Sequence, residues 1–226
     1  MAQQLDLQEQ EQVDALKAFW AKYGNLITWT ITLALAAFAG YNFWLKHERD
    51  QATQASTMYG ELQTAAAAGD AKRAAQVFGD MKSRVPKTSY AQLGALLAAK
   101  VQADKGDVAN ATANLQWVAD TGNEENAAVA HIRLAGLLAD AKKYDEALKQ
   151  LALVKPAAFA ALVADRQGDI QLAQGQKDAA TKAYKAAYDG LPATAQYRIL
   201  VEAKLTALGA APAASAASAT ASGASQ

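Results

Sequence analysis

The chain has 226 residues with 22 basic and 22 acidic side chains, so its formal net charge is zero. This balance gives no electrostatic reason to expect nucleic acid or anionic lipid as a partner. The absence of cysteine excludes disulfide bonds and thiolate metal sites. Abundant Ala, Leu, Lys and Gln favour helix over strand.

An uncharged apolar run occupies residues 23–45, between Lys22 and Lys46. About 20 mainly apolar residues are enough for a helix to cross the hydrocarbon core of a bilayer. Trp29 and Trp44 lie near the two ends of the run, and amphipathic rings favour the membrane–water interface. We therefore predict a single transmembrane helix over residues 23–45, preceded by a polar leader over residues 1–22.

Two other interpretations of this run are less favoured. A buried helix of a soluble domain is usually shorter than this run. A cleavable signal peptide is suggested by Ala37, Phe38 and Ala39, which resemble a processing site, but a signal peptide begins with a basic segment. The leader is instead net acidic, and the apolar run continues beyond that site to Leu45.

The segment after the anchor, residues 46–68, keeps a helical composition, with Gly60 as its only helix breaker. The anchor helix either continues straight through this segment or ends and restarts near the charged residues 47–50, and the sequence leaves both alternatives open. Gly-Asp pairs at 69–70 and 106–107 are predicted to end one helix and cap the next.

Beyond residue 70 a pattern recurs four times. Small residues stand at intervals of 37, 36 and 33 positions, at Ala74, Ala111, Ala147 and Ala180. Four positions later each is followed by a large apolar residue: Phe78, Leu115, Leu151 and Tyr184. This pattern resembles the second helix of the tetratricopeptide repeat, where a small residue lets two helices approach closely and its neighbour one turn away fills the gap.

The first helix of each pair matches the repeat less well. Gly168 stands where the repeat has glycine, but Ala135, Ala99 and Leu62 occupy the corresponding positions of the other units. The aromatic residue that usually begins this helix is replaced by Met58, Ala95, His131 and Ala164. We therefore predict four degenerate repeats, against the alternative of an Ala-rich helical bundle with accidental periodicity.

The predicted fold is all-α: a single N-terminal transmembrane helix followed by a tetratricopeptide-repeat-like α-solenoid of about four helical hairpins. The amphipathic segment 193–208 is the candidate for a C-terminal capping helix, because a solenoid must cover its last apolar face. The repeat domain is assigned to residues 46–208. The Ala/Ser-rich tail, 209–226, has no large apolar side chain and is predicted to be disordered.

No catalytic signature is present in the sequence. His47 and His131 are the only histidines, and no phosphate-binding glycine loop, paired His–carboxylate helix motif or nucleophile elbow occurs. We therefore predict a protein that is not an enzyme and has no cofactor, metal or small-molecule substrate.

Repeat solenoids bind extended segments or helices on a concave face, which we expect the first helices to line. The outward-facing candidates for partner binding are Tyr59, Gln63, Lys100, Asp104, Asp140, Asp165 and Asp169. Asp165 and Asp169 lie one helical turn apart, so together they could meet a basic group. An ordinary solvated helix face is the alternative for each position.

The order of these parts resembles the YfgM family of ancillary SecYEG translocon subunits. The resemblance covers roughly residues 10–208 and rests on three segments: LKAFWAKYGNLITWTITLALAAFAGYNFWLKH, AAQVFGDMKSRVPKTSYAQLGALLAAK and GDIQLAQGQKDAATKAYKAAYDGLP. It implies an inner-membrane protein with its N-terminus in the cytoplasm and its repeat domain in the periplasm. It also implies association with the SecYEG translocon and with the membrane-anchored periplasmic chaperone PpiD.

The flanking charges do not set this orientation. Lys17 and Lys22 precede the anchor and Lys46 and Arg49 follow it, so the positive-inside rule gives a tie. A membrane-anchored scaffold for another envelope assembly, such as cell-wall or secretion machinery, is the alternative function.

Overall fold

A computed structural model describes residues 7–212 of the chain. Within that range the chain forms nine α-helices, one short 3-10 helix at Ala157–Phe159 and no strand. The α-helices are α1 (Leu7–Ala67), α2 (Ala71–Arg84), α3 (Ser89–Asp104), α4 (Val108–Thr121), α5 (Glu124–Asp140), α6 (Tyr144–Ala152), α7 (Ala160–Ala173), α8 (Lys177–Gly190) and α9 (Tyr197–Ala207). The start of the predicted leader and most of the predicted disordered tail lie outside the described residues.

The chain divides into two compact units, residues 1–53 and 54–226. The described part of the first unit is the N-terminal portion of α1, which includes the predicted anchor. Among the described residues α1 is the one helix long and apolar enough to cross a membrane, and none of its most apolar window is buried. This exposure argues against the core helix of a soluble domain. Helix α1 has no break at residues 47–50, so the helix continues rather than restarting there.

Hydroxyl groups within the anchor are satisfied by the helix itself. The side chains of Thr28, Thr30 and Thr32 each donate a hydrogen bond of 2.8 Å to the backbone carbonyl four residues earlier. Asn42 does the same to the carbonyl of Phe38, at 2.9 Å. In a bilayer such groups have no water to bond with, so internal hydrogen bonds make these polar residues compatible with hydrocarbon.

The described part of the second unit, residues 54–212, forms a solenoid. Its four hairpins pair the end of α1 with α2, α3 with α4, α5 with α6, and α7 with α8, and α9 packs on the last hairpin as the cap. The all-α fold, the four hairpins and the capping helix predicted from the sequence are confirmed.

The turns between helices explain where the helices begin. The Asp70 and Asp107 carboxylates accept hydrogen bonds from the backbone N–H groups of Arg73 and Asn110, at 2.9 and 3.2 Å, as N-caps. The preceding glycines, Gly69 and Gly106, have φ of 64° and 81°, a conformation that residues with a Cβ adopt rarely. The predicted Gly-Asp turns are therefore confirmed.

The repeated small residues lie where the helices of a hairpin meet. Ala74, Ala111, Ala147 and Ala180 are all fully buried, and the large apolar residues four positions later are almost fully buried. Gly168 faces the ring of Tyr184 so closely that a Cβ at this position would lie 2.6 Å from a ring carbon. The periodicity in the sequence is thus the packing register of the solenoid.

Candidate partner-binding face

The exposed sides of the first helices of the hairpins lie next to one another. Helix α5 contacts both α3 and α7. On α3 the outward residues recur every three or four positions, and all of them are exposed or half-buried: Tyr90, Leu93, Leu97, Lys100 and Asp104. We call the surface formed by α1 from residue 54 onward, α3, α5 and α7 the first-helix face.

The predicted site residues near the start of the solenoid lie on this face. Gln63 is exposed on α1, and Tyr59 is half-buried because its ring packs against that of Tyr90, with centroids 5.7 Å apart. The face therefore begins with an aromatic pair that offers a flat apolar surface.

On α3, Lys100 and Asp104 are exposed and form an ion pair with each other at 2.6 Å. Pairs of this kind one turn apart on a solvated helix contribute little to stability. Both residues line a cavity between α1 and α3, together with Leu97, Val101 and Lys105.

Asp140, the last residue of α5, is exposed as predicted. It lines a second cavity of about 230 Å³ between α5 and α7. Arg166 and Asp169 of α7 line the same cavity, so charged side chains surround its opening.

The prediction that Asp165 faces outward is wrong. Asp165 is completely buried, because α9 covers this side of α7. The Lys204 ammonium of α9 lies 2.8 and 3.0 Å from the two carboxylate oxygens of Asp165, and the Tyr197 hydroxyl donates to Oδ2 at 2.6 Å. These contacts supply the partners that a buried carboxylate requires.

Asp169 is half-buried and joins the same network. Lys204 Nζ lies 2.6 Å from Asp169 Oδ1, and this oxygen also accepts a 2.8 Å hydrogen bond from the Tyr184 hydroxyl. Arg166 pairs with the other oxygen at 3.2 Å. Asp165 and Asp169 together meet a basic group, but that group is Lys204 of the protein's own capping helix and not a residue of a partner.

The network also changes the acidity of its two tyrosines. Burial, and then the hydrogen bond and negative charge of Asp169, raise the pKa of Tyr184 above its ordinary value. Burial and Asp165 raise the pKa of Tyr197 in the same way. Both hydroxyls therefore remain protonated donors well above neutral pH.

Sequence reasoning missed Arg166, Lys204 and Lys105 as members of these sites. The sequence predicts only that the segment 193–208, which contains Lys204, is amphipathic, because a single sequence does not show which helix lies opposite it. Arg166 had a usable signal: it stands two residues before Gly168, as the outward-facing Leu97 stands two residues before Ala99.

The fold and this face define a class: a tetratricopeptide-repeat-like solenoid that follows an N-terminal apolar helix. The model of the tetratricopeptide repeat-like domain matches residues 17–210, and the chain belongs to that family.

Within that class the relatives are more specific. The chain is 35% identical over 181 residues to the "Ancillary SecYEG translocon subunit" of Escherichia coli strain K12, covering 79% of this chain and 86% of that protein. It is 31% identical over 196 residues to the protein of that name from Aggregatibacter actinomycetemcomitans, covering 86% and 96%. A Neisseria gonorrhoeae protein of the same name is 27% identical over 206 residues, covering 89% and 98%. The chain belongs to this family, YfgM, as its sequence segments indicate.

Proposed function

We propose that this protein is a non-enzymatic ancillary subunit of the SecYEG translocon. The observation that carries the proposal is the match to proteins of that name over 86% and 96% of their lengths. The family model matches residues 17–210, a range that includes both the apolar helix and the solenoid.

The repeat domain serves as the docking surface for a PpiD-like periplasmic chaperone, which it holds beside the export channel. Repeat solenoids of this kind present one extended face to a partner chain. The residues on the first-helix face that we assign to partner contact are Tyr59, Gln63, Lys100, Asp104, Asp140 and Asp169. Asp165 does not contact the partner. It is buried between α7 and α9, where it links the two helices through its bonds to Lys204 and Tyr197.

The protein is anchored in the bacterial inner membrane by residues 23–45, with residues 1–22 in the cytoplasm and the repeat domain, 46–208, in the periplasm. The apolar helix and the translocon-subunit relatives support anchoring. A tail, residues 209–226, follows the domain.

The absence of enzymatic activity is part of the proposal. Its support is the repeat fold and the name shared by the relatives. His131, on α5, lies with Nδ1 2.8 Å from the Gln150 side-chain oxygen on α6, so it links the two helices of a hairpin.

Two experiments test the proposal. The tagged full-length chain is extracted in mild detergent, and the proteins that co-purify are identified by mass spectrometry. We expect translocon subunits and a periplasmic chaperone; recovery of cell-wall or secretion machinery instead would favour the alternative scaffold.

A periplasm-dependent reporter fused after Gln226 tests the orientation. It should be active, and an inactive reporter beside an active cytoplasmic one would contradict the topology.

A further inference from the structure

Two cavities on the first-helix face occupy equivalent places in the repeat, one between α1 and α3 and the other between α5 and α7. The residues of α3 and α7 that line them stand at the same distances from Ala99 and Gly168: Leu97 and Arg166, Lys100 and Asp169, Val101 and Ile170, Asp104 and Ala173. The same repeat position therefore carries different chemistry in the two cavities.

The α5–α7 cavity is walled mainly by small and aliphatic residues. Its lining includes Ala135, Gly136, Ala139, Ile170 and Ala173. A Cβ at Gly136 would meet no atom within 4 Å, so the wall is open at that point. Space of this shape beside apolar atoms suits the aliphatic stem of a long side chain.

The charges around this cavity leave one carboxylate unpaired. In the network, Asp165 and Asp169 are matched by Arg166 and Lys204, so these four charges balance. Asp140 forms no hydrogen bond or ion pair within the described part of the chain. It also ends α5, where the helix dipole is negative, so the potential at this rim favours a cation.

The lysines that follow α5 do not neutralise Asp140. Lys142 and Lys143 are absent from the cavity lining, and Lys143 forms its ion pair with Glu146, at 3.6 Å. In the equivalent cavity, by contrast, Asp104 is paired with Lys100 at 2.6 Å, and Lys105 adds a further positive charge.

We propose that the α5–α7 cavity is a subsite for a lysine or arginine side chain of the partner protein docked on the first-helix face. The stem of that side chain lies along Gly136, Ala139 and Ala173, and its charged head meets Asp140. The α1–α3 cavity, with its two lysines, does not take such a group. This inference rests on the proposed docking function and adds the chemistry of the docked segment.

The test measures the affinity of the full-length chain in nanodiscs for purified SecYEG and for the purified periplasmic chaperone. Asp140→Lys should weaken binding of the chaperone, the partner assigned to this face, by about tenfold, because it replaces attraction with repulsion. Asp140→Glu should stay close to the wild-type chain. The matched control is Asp189→Lys, at an exposed position in the last turn of α8 and outside the first-helix face, which should change affinity less than about twofold.

Folding does not obscure the result, because both positions are exposed and a lysine at a helix C-terminus complements the dipole. Binding of Asp140→Lys at the wild-type affinity would overturn the inference and leave the proposed function standing. Equal losses for Asp140→Lys and Asp189→Lys would also overturn it, since the effect would then belong to net charge and not to this cavity. A wild-type chain that binds neither protein would remove both the inference and the proposed function.

Discussion

The two ends of the repeat domain are held together by different interactions. At the first two hairpins, 18 buried residues of α1 to α5 form one apolar cluster, and the ion pairs of this end lie at the surface. At the last hairpin only five residues of α8 and α9 form the buried apolar cluster, and beside it lies the network of Asp165, Asp169 and Lys204.

The difference shows what fixes the position of the capping helix α9 at the end of the solenoid. A buried ion pair adds little net stability compared with apolar packing, yet it is costly to leave half of it unpaired. The network therefore favours one position of α9, since a shifted α9 that still covered Asp165 would leave that carboxylate buried without its cation. Apolar burial stabilises the first hairpins, and the ionic network determines the position of α9 on the last hairpin.

Removing the positive charge of Lys204 should have the largest effect on stability. Lys204→Met leaves Asp165 without its cation, and we expect the free energy of unfolding to fall by about 3 kcal/mol. Urea unfolding of the full-length chain in detergent, followed by circular dichroism, measures the change. The control, Lys149→Met on the exposed side of α6, should stay within about 0.5 kcal/mol. Equal stability of the two variants would mean that the network does not hold the cap.

A methyl group at the last hairpin should have the next largest effect. Gly168→Ala brings a Cβ against the Tyr184 ring, and overpacking of this kind costs about 2 kcal/mol. The same change at Gly79 of α2, where a Cβ meets no atom within 4 Å, should stabilise by about 0.5–1 kcal/mol, because alanine favours helix. The midpoints of thermal unfolding should therefore move in opposite directions, and a shift in the same direction would contradict the close approach at Gly168.

The first and last hairpins also differ in the hydrogen bonding of one buried glutamine side chain. In α3 the buried Gln102 accepts a hydrogen bond from Asn114 of α4, whereas its counterpart Gln171 has a buried side-chain oxygen with no partner within the described residues. Ala183 stands where Asn114 does, three residues after the small position. Ala183→Asn should therefore stabilise by about 1 kcal/mol. Ala186→Asn, at an exposed position of the same helix, should not raise the free energy of unfolding measured by chemical denaturation. Equal responses of the two variants would contradict the equivalence of Ala183 with Asn114.

The smallest effect is expected at the surface of the first hairpins. Lys100→Met breaks the exposed pair with Asp104, and the free energy of unfolding should change by less than about 0.5 kcal/mol. The same denaturation measurement checks it. A loss comparable with that of Lys204→Met would remove the distinction between surface pairs and the network of the cap.

The sequence predicted the regular part of this fold because the packing itself is periodic. Ala74, Ala111, Ala147 and Ala180 must be small for the helices of each hairpin to approach, so the residue type reports the contact directly. The outward orientation of Gln63, Lys100, Asp104 and Asp140 follows from the same register, and the structure has all four exposed.

Asp165 could not be placed in this way. The repeat pattern puts it on an outward side of α7, but α9 lies over that side and brings Tyr197 and Lys204 from more than 30 positions away. Nothing in the repeat encodes where a terminal helix packs, because the cap has no counterpart in the other units. The continuity of α1 was equally open, since the charged residues 47–50 are compatible with a helix and with a break.

The most direct test of the central claim is the binding of the purified full-length chain to SecYEG reconstituted in lipid nanodiscs. Fluorescence-detected titration with the labelled chain should give saturable binding, absent with empty nanodiscs and with an unrelated membrane protein. Binding to SecYEG no stronger than to those two controls would contradict the assignment of this protein as a translocon subunit.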